Sequence, residues 1–118
     1  MLDLSHKKLD VWKLSIEIVS DIYALTEKFP RTEIYGIINQ LRRASVSISS
    51  NIAEGAARRT SVEKRRFYEI SRSSLVEIDT QLEIAVKLVF CRPEDLKVIS
   101  EKMNHMFAML SNLIKKTK

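Results

Sequence analysis

The chain has 118 residues, 45% hydrophobic and 30% charged, with a net charge of +5 and only two glycines, two prolines and one cysteine. This composition is far from disordered, excludes an intramolecular disulfide framework, and favours long helices with short connections in one domain over residues 1–118. No apolar run approaches the roughly 18 to 20 residues that span a bilayer, and MLDLSHKKLDVW lacks a signal-peptide core, so a cytoplasmic protein with no membrane partner is expected.

Residues 1–7 show no periodicity and are read as a flexible arm. A first helix is expected over about 9–29, ended by Phe29-Pro30 because the residue before proline avoids the helical region. It carries two apolar stripes, one of Trp12, Ile16, Val19 and Tyr23 and one of Ile18, Ile22, Leu25 and Phe29. One stripe suffices to close a core, so the second, with Ile18 and Ile22, is expected to be buried against another subunit.

A second helix is expected over 32–59, with Thr32 and Glu33 at its start. Ile34, Ile38, Leu41, Ser45, Ile48 and Ile52 alternate at spacings of four and three and predict a core seam. About a third of a turn away, Gln40, Arg43, Ser47, Asn51, Glu54 and Arg58 form a polar stripe whose groups are suited to satisfying one another. Ala44, Ser45, Ser47, Ser49 and Ser50 are small on several faces, which points to tight helix crossings rather than to a phosphate-binding serine cluster.

Thr60-Ser61-Val62-Glu63 reads as a capping box that opens a third helix over 61–90. Its core side is expected to include Phe67, Ser71, Ser74, Ile78, Leu82, Ala85 and Val89, while Arg66, Ser73, Glu77 and Gln81 form a polar line in which Glu77 is a candidate partner for Arg43. Pro93 with Glu94 and Asp95 opens a fourth helix over 93–117, apolar at Leu96, Ile99, Met103, Met106, Leu110 and Leu113. The expected architecture is all-α, an up-down-up-down antiparallel four-helix bundle.

The charge is localised. Residues 31–72 hold nine Lys/Arg against four Asp/Glu, and eight of the nine arginines, whereas the remainder is balanced. Arginine suits bidentate phosphate contacts, so clustering by type as well as sign raises nucleic-acid binding above an ordinary solvated helix pair. No catalytic constellation stands against this: His6 and His105 lack metal-ligand spacing, Cys91 has no nearby histidine, and no glycine-rich loop is present. No cofactor, metal or enzymatic activity is expected.

The segments FPRTEIYGIINQLRRASVSISSNIAEG at 29–55 and RFYEISRSSLVEIDTQLEIA at 66–85, with LDVWKLS at 9–15, resemble the bacterial four-helix-bundle family encoded by intervening sequences within 23S ribosomal RNA genes. That family is similar in turn to the accessory protein of diversity-generating retroelements. The resemblance implies a homo-oligomeric ring, a pentamer, and for the retroelement relatives a basic surface that binds RNA and a reverse transcriptase. The matching positions are Gln40, Arg42, Arg43, Asn51, Glu54, Gly55, Phe67 and Glu77. The family often carries proline where Ser49 stands and glycine near Ser73, so the second helix is expected to be straighter here.

The leading expectation is therefore a non-catalytic, oligomeric RNA-binding bundle in which Arg42, Arg58, Arg59, Lys64, Arg65 and Arg66 contact phosphates. The alternative is a ring-forming scaffold that uses its arginines in intersubunit pairs with Glu54, Glu77 or Glu83, with Gln40, Arg43, Asn51, Glu54, Glu77, Ile18 and Ile22 at the interface or in its polar network. Phe67, Tyr68 and Tyr35 are expected to be core or interface aromatics.

Overall fold

A computed structural model describes all 118 residues, in a body of about 43 by 28 by 20 Å. The chain forms four α-helices and no strand: α1 (Asp10–Thr26), α2 (Ile37–Ala57), α3 (Ser61–Lys87) and α4 (Lys97–Lys116). Single 3-10 turns occupy Ser5–Lys8, Arg31–Glu33 and Pro93–Leu96. The long helices touch in the cyclic order α1–α2–α3–α4–α1, and α2 against α3 is the most extensive pairing. None is long and apolar enough to cross a membrane.

Each helix is shorter than its periodicity predicts, for local reasons. In α1, the N–H groups of Lys28 and Phe29 bond three residues back, to Leu25 and Thr26, so the helix tightens and stops before Pro30. Thr32 does not cap α2. Residues 31–33 form their own turn with Glu33 N–H on the Pro30 carbonyl at 2.9 Å, and Gly36 at φ −106° and ψ −121° separates that turn from the helix. The α3 helix ends in a Schellman motif, with Phe90 N–H on Ala85 O at 2.9 Å and Val89 N–H on Val86 O at 3.0 Å. That geometry puts Val89 at φ +61°, where it is 81% exposed rather than on the core stripe. Before α4, Arg92 N–H donates to Asp95 Oδ2 at 2.9 Å, which closes the Pro93–Leu96 turn ahead of the helix proper. Ser5–Lys8 packs beside α1 and α2, with His6 edge-on to Trp12 at 5.2 Å, so the arm expected over residues 1–7 is structured at its end.

The α2 seam is the centre of the core: Ile38, Leu41, Ser45, Ile48 and Ile52 are wholly buried. Each buried isoleucine contributes about 1.5–3 kcal/mol of transfer free energy. The small residues do allow close crossings. Ser15 and Ser49 meet at 2.8 Å between α1 and α2, Ser47 and Ser74 at 3.0 Å between α2 and α3, and Ser71 Oγ donates to the Ile48 carbonyl at 2.9 Å. At the N-cap of α3, Thr60 Oγ1 accepts from Glu63 N–H at 3.2 Å and donates to the Glu63 carboxylate at 3.0 Å, so the carboxylate meets the Thr60 hydroxyl rather than its backbone N–H and only half of the expected capping box forms.

The α1 stripes are assigned the other way round from the sequence expectation. Ile18 and Ile22 are fully buried within this chain, together with Val11, Ser15 and Thr26. The reason is that α1 has two neighbours, α2 and α4, so a wide arc is covered without a second subunit. The stripe turned outward holds Ile16 and Tyr23, 43% and 42% exposed, beside the partly buried Trp12 and Val19.

Candidate nucleic-acid interface

One end of the molecule gathers the C-terminal end of α2, the first turns of α3 and the C-terminal end of α4. Three contacts tie these segments together: Lys64 Nζ donates to the Ala56 carbonyl at 3.0 Å, Arg65 Nη1 to the Thr117 carbonyl at 2.7 Å, and Ser61 Oγ to the Lys118 carbonyl. The helix ends leave unpaired carbonyls and a partial negative charge, which explains why cations sit there. Lys64 and Arg65 are thus engaged as caps of α2 and α4. Their donors face backbone oxygens, and the phosphate role expected of them is not carried by this geometry.

Other cations at this end remain outward. Arg59 and Arg66 are exposed and make no ion pair or hydrogen bond within the chain. Arg58 pairs with Glu54 at 2.7 Å, one turn back on α2, and lies 4.7 Å over the Phe67 ring. Both members of that pair are substantially exposed, so the pair is worth little and yields readily to a stronger anion. Lys115 and Lys116 in the last turn of α4, and Lys118 beyond it, extend the patch. These lysines are at the far end of the sequence from the arginine cluster. The helix lengths and short connections carry the only sequence signal that they join it.

Arg42 lies elsewhere. It is 18% exposed, with Nε on Thr26 Oγ1 at 2.9 Å, Nη2 on Glu27 Oε2 at 3.2 Å, and its guanidinium 4.5 Å over the Tyr23 ring. It fastens α2 to the end of α1. The predicted phosphate contact is corrected to a structural one, because the guanidinium's edge is turned toward the end of α1.

The polar stripe of α2 is only partly a network. Asn51 Nδ2 donates to Ser47 O at 2.8 Å and Ser47 Oγ at 3.0 Å, which links it through Ser47 to Ser74 of α3. Arg43 and Gln40 are exposed, and Arg43 has no carboxylate within ion-pair distance, so the expected pairing with Glu77 is absent in the chain. Glu77 instead accepts from Gln81 Nε2 at 3.2 Å. The Gln81 Oε1 atom is buried without a partner. Tyr68 is buried as expected, Phe67 is half-buried under Arg58, and Tyr35 is 93% exposed.

No group of three His, Cys, Asp or Glu side chains is placed to hold a metal ion. Cys91 is buried, and burial together with the Asp95 charge pushes its thiol pKa up, which keeps it protonated and a poor nucleophile.

Comparison with known proteins gives a consistent result. The crystal structure of a protein with unknown function from the S23 ribosomal protein family of Bacteroides thetaiotaomicron superposes with a TM-score of 0.79. The two are 19% identical, and the match covers 90% of this chain and 99% of that one. That likeness concerns the fold. No curated protein sequence matches the chain. The sequence pattern of the 23S rRNA-intervening sequence proteins matches residues 7–112, nearly the whole chain, and this all-α protein belongs to that family.

Proposed function

We propose that this protein is a non-catalytic, homo-oligomeric RNA-binding protein, an up-down-up-down antiparallel bundle that presents its basic end to the phosphate backbone. The observation that carries this reading is the convergence of Arg59 and Arg66, both exposed and without an acidic partner, with Arg58 and the α4 lysines at one end of the molecule. Exposed guanidinium groups with no internal partner are free to release counterions from RNA, and repetition of the patch in an assembly multiplies weak contacts. Binding of this kind reads the backbone and tolerates sequence. The pentameric state and a reverse-transcriptase partner are the finer features that the family resemblance adds, and a cytoplasmic location is proposed with them.

Assembly without RNA is the second reading, and one observation favours it. Trp12, Ile16 and Val19 line an open trough with Val46 and Ala53 on the α1–α2 side, an apolar surface that a single chain leaves to solvent. In that scaffold the basic end is solvated and binds nothing.

Titration of a structured RNA against the wild type and an Arg59→Glu/Arg66→Glu variant separates the two. The RNA-binding reading expects affinity to fall by about a hundredfold or more, since two phosphate contacts become repulsive, with thermal stability unchanged. Equal affinity of the two proteins, or no binding at low salt, overturns it.

A further inference from the structure

Two grooves of opposite charge character lie on different sides of the molecule. The first, about 730 Å³, runs between α1 and α2 past Tyr23, Tyr35, Asn39, Arg42, Arg43 and Val46, and its charged lining groups are both arginines. The second, about 290 Å³, runs between α3 and α4 past Val76, Asp79, Leu82, Glu83, Met103 and Phe107, and its charged lining groups are both carboxylates. In the cyclic order of the helices, the α1–α2 side and the α3–α4 side are opposite, so the two cannot meet within one chain.

Arg42 and Tyr23 are engaged with each other and with the end of α1, which leaves Arg43 and Tyr35 as the free groups of the first groove and Asp79 and Glu83 as those of the second. Arg43, Asp79 and Glu83 make no ion pair within the chain. Tyr35 is 93% exposed, and on the other side Val76 and Phe107 are 51% and 44% exposed, with the Arg72 guanidinium 5.7 Å from the Phe107 ring. Tyrosine and arginine around an apolar floor are the composition of energetic centres in protein interfaces. A single-stranded nucleic acid also suits the first groove taken alone. It does not suit the second, which repels a polyanion. A second copy of this chain satisfies both at once.

We propose that the carboxylate-lined α3–α4 face of one copy docks into the arginine–tyrosine groove of another, with Asp79 and Glu83 meeting Arg43 and the exposed Phe107 and Val76 covering Tyr35 and Val46. Unlike faces make the contact heterologous, and a docked pair keeps one free groove on one copy and one free face on the other for further neighbours. Charge complementarity fixes the register and the polarity of the assembly. The proposal rests on the self-assembly part of the function proposed above.

Sedimentation velocity on four forms of the full chain tests it: wild type, Arg43→Glu, Asp79→Lys/Glu83→Lys, and the combined charge swap. All these positions are exposed, and circular dichroism checks that each form is folded. The wild type assembles, each partial variant dissociates at concentrations about tenfold higher or more, and the combined swap regains assembly. An equimolar mixture of the two partial variants also assembles, because each supplies the face that the other lost. An assembled wild type whose partial variants are unaffected, or whose combined swap stays dissociated, overturns this docking while leaving self-assembly standing. A wild type that remains monomeric removes the self-assembly reading itself. Loss of RNA affinity in Arg43→Glu with assembly intact assigns the groove to nucleic acid and also overturns the proposal.

Discussion

Gly55 gives the sharpest test of the packing between α2 and α3. A Cβ added there would lie 2.6 Å from Tyr68 Cε1, 2.9 Å from Tyr68 Cδ1 and 3.2 Å from the Lys64 carbonyl oxygen. The ring is 4% exposed and Lys64 is held to the end of α2 by its bond to Ala56 O, so neither neighbour is free to give way. Two opposing terms decide the sign of Gly55→Ala. Alanine gains about 1 kcal/mol of helix propensity, because the unfolded chain has less freedom to lose. Overpacking costs typically about 1–3 kcal/mol, and two contacts below 3.0 Å against a buried ring put this site near about 3 kcal/mol. The net expectation is a loss of about 2 kcal/mol, or roughly 8 °C in the melting midpoint for a domain of this size. Thermal unfolding followed by circular dichroism, at one fixed protein concentration because assembly shifts apparent stability, reads it directly. In a Tyr68→Ala background both ring contacts are gone and only the 3.2 Å approach to the Lys64 carbonyl oxygen remains, so the same substitution should lose most of its cost, a coupling that identifies the ring as the cause. A Gly55→Ala protein as stable as the wild type would refute the close approach.

The other predictions concern the termini, the caps and pH. Val89 occupies the left-handed region, which costs a residue other than glycine about 1–2 kcal/mol, and its exposed side chain packs little in return, so Val89→Gly should stabilise by up to about 1 kcal/mol in a denaturant titration after allowing for glycine's unfolded-state freedom. Lys64→Ala and Arg65→Ala each remove a donor from a helix C-terminus and should cost about 0.5–1 kcal/mol in melting experiments, whereas Arg59→Ala and Arg66→Ala should cost nothing measurable. Lys102 has its pKa raised, first by its hydrogen bond to Asp21, and Tyr68 has its pKa raised by burial. The lysine's contribution is fully present below its ordinary range and is lost as pH climbs through its raised value, and the unfolded state is favoured once free tyrosine ionises. Stability measured by melting should therefore be flat around neutrality and fall in the alkaline range. Lys102→Met should flatten part of that fall, and an unchanged alkaline limb would contradict the ion pairs with Asp21 and Glu17.

The parts of this fold that depend on one helix were legible in the sequence, and the parts that depend on a neighbour were not. The α2 seam from Ile38 to Ile52 follows from a period of 3.6 residues, and the Thr60–Glu63 cap from a local bond, so both were readable. Ile18 and Ile16 are equally apolar and sit on adjacent stripes. Only the positions of α2 and α4 decide that the first is buried and the second exposed. Helix ends were missed where tertiary or left-handed geometry intervened, as at Gly36 and Val89. The arginine cluster was visible as a count, but a guanidinium reaches far enough that burial against Thr26, a cap on Thr117 or free exposure look alike in sequence. Arg42, Arg65 and Arg66 take those three fates.

The central claim is that free cations at the basic end carry RNA binding, and its most direct measurement is the salt dependence of the binding constant for a structured RNA. Log affinity should fall linearly with log salt, with a slope of about 0.9 per phosphate contacted, and the slope should drop by about 2 in the Arg59→Ala/Arg66→Ala variant. A slope near zero for the wild type, or one that the double variant leaves unchanged, would contradict the account.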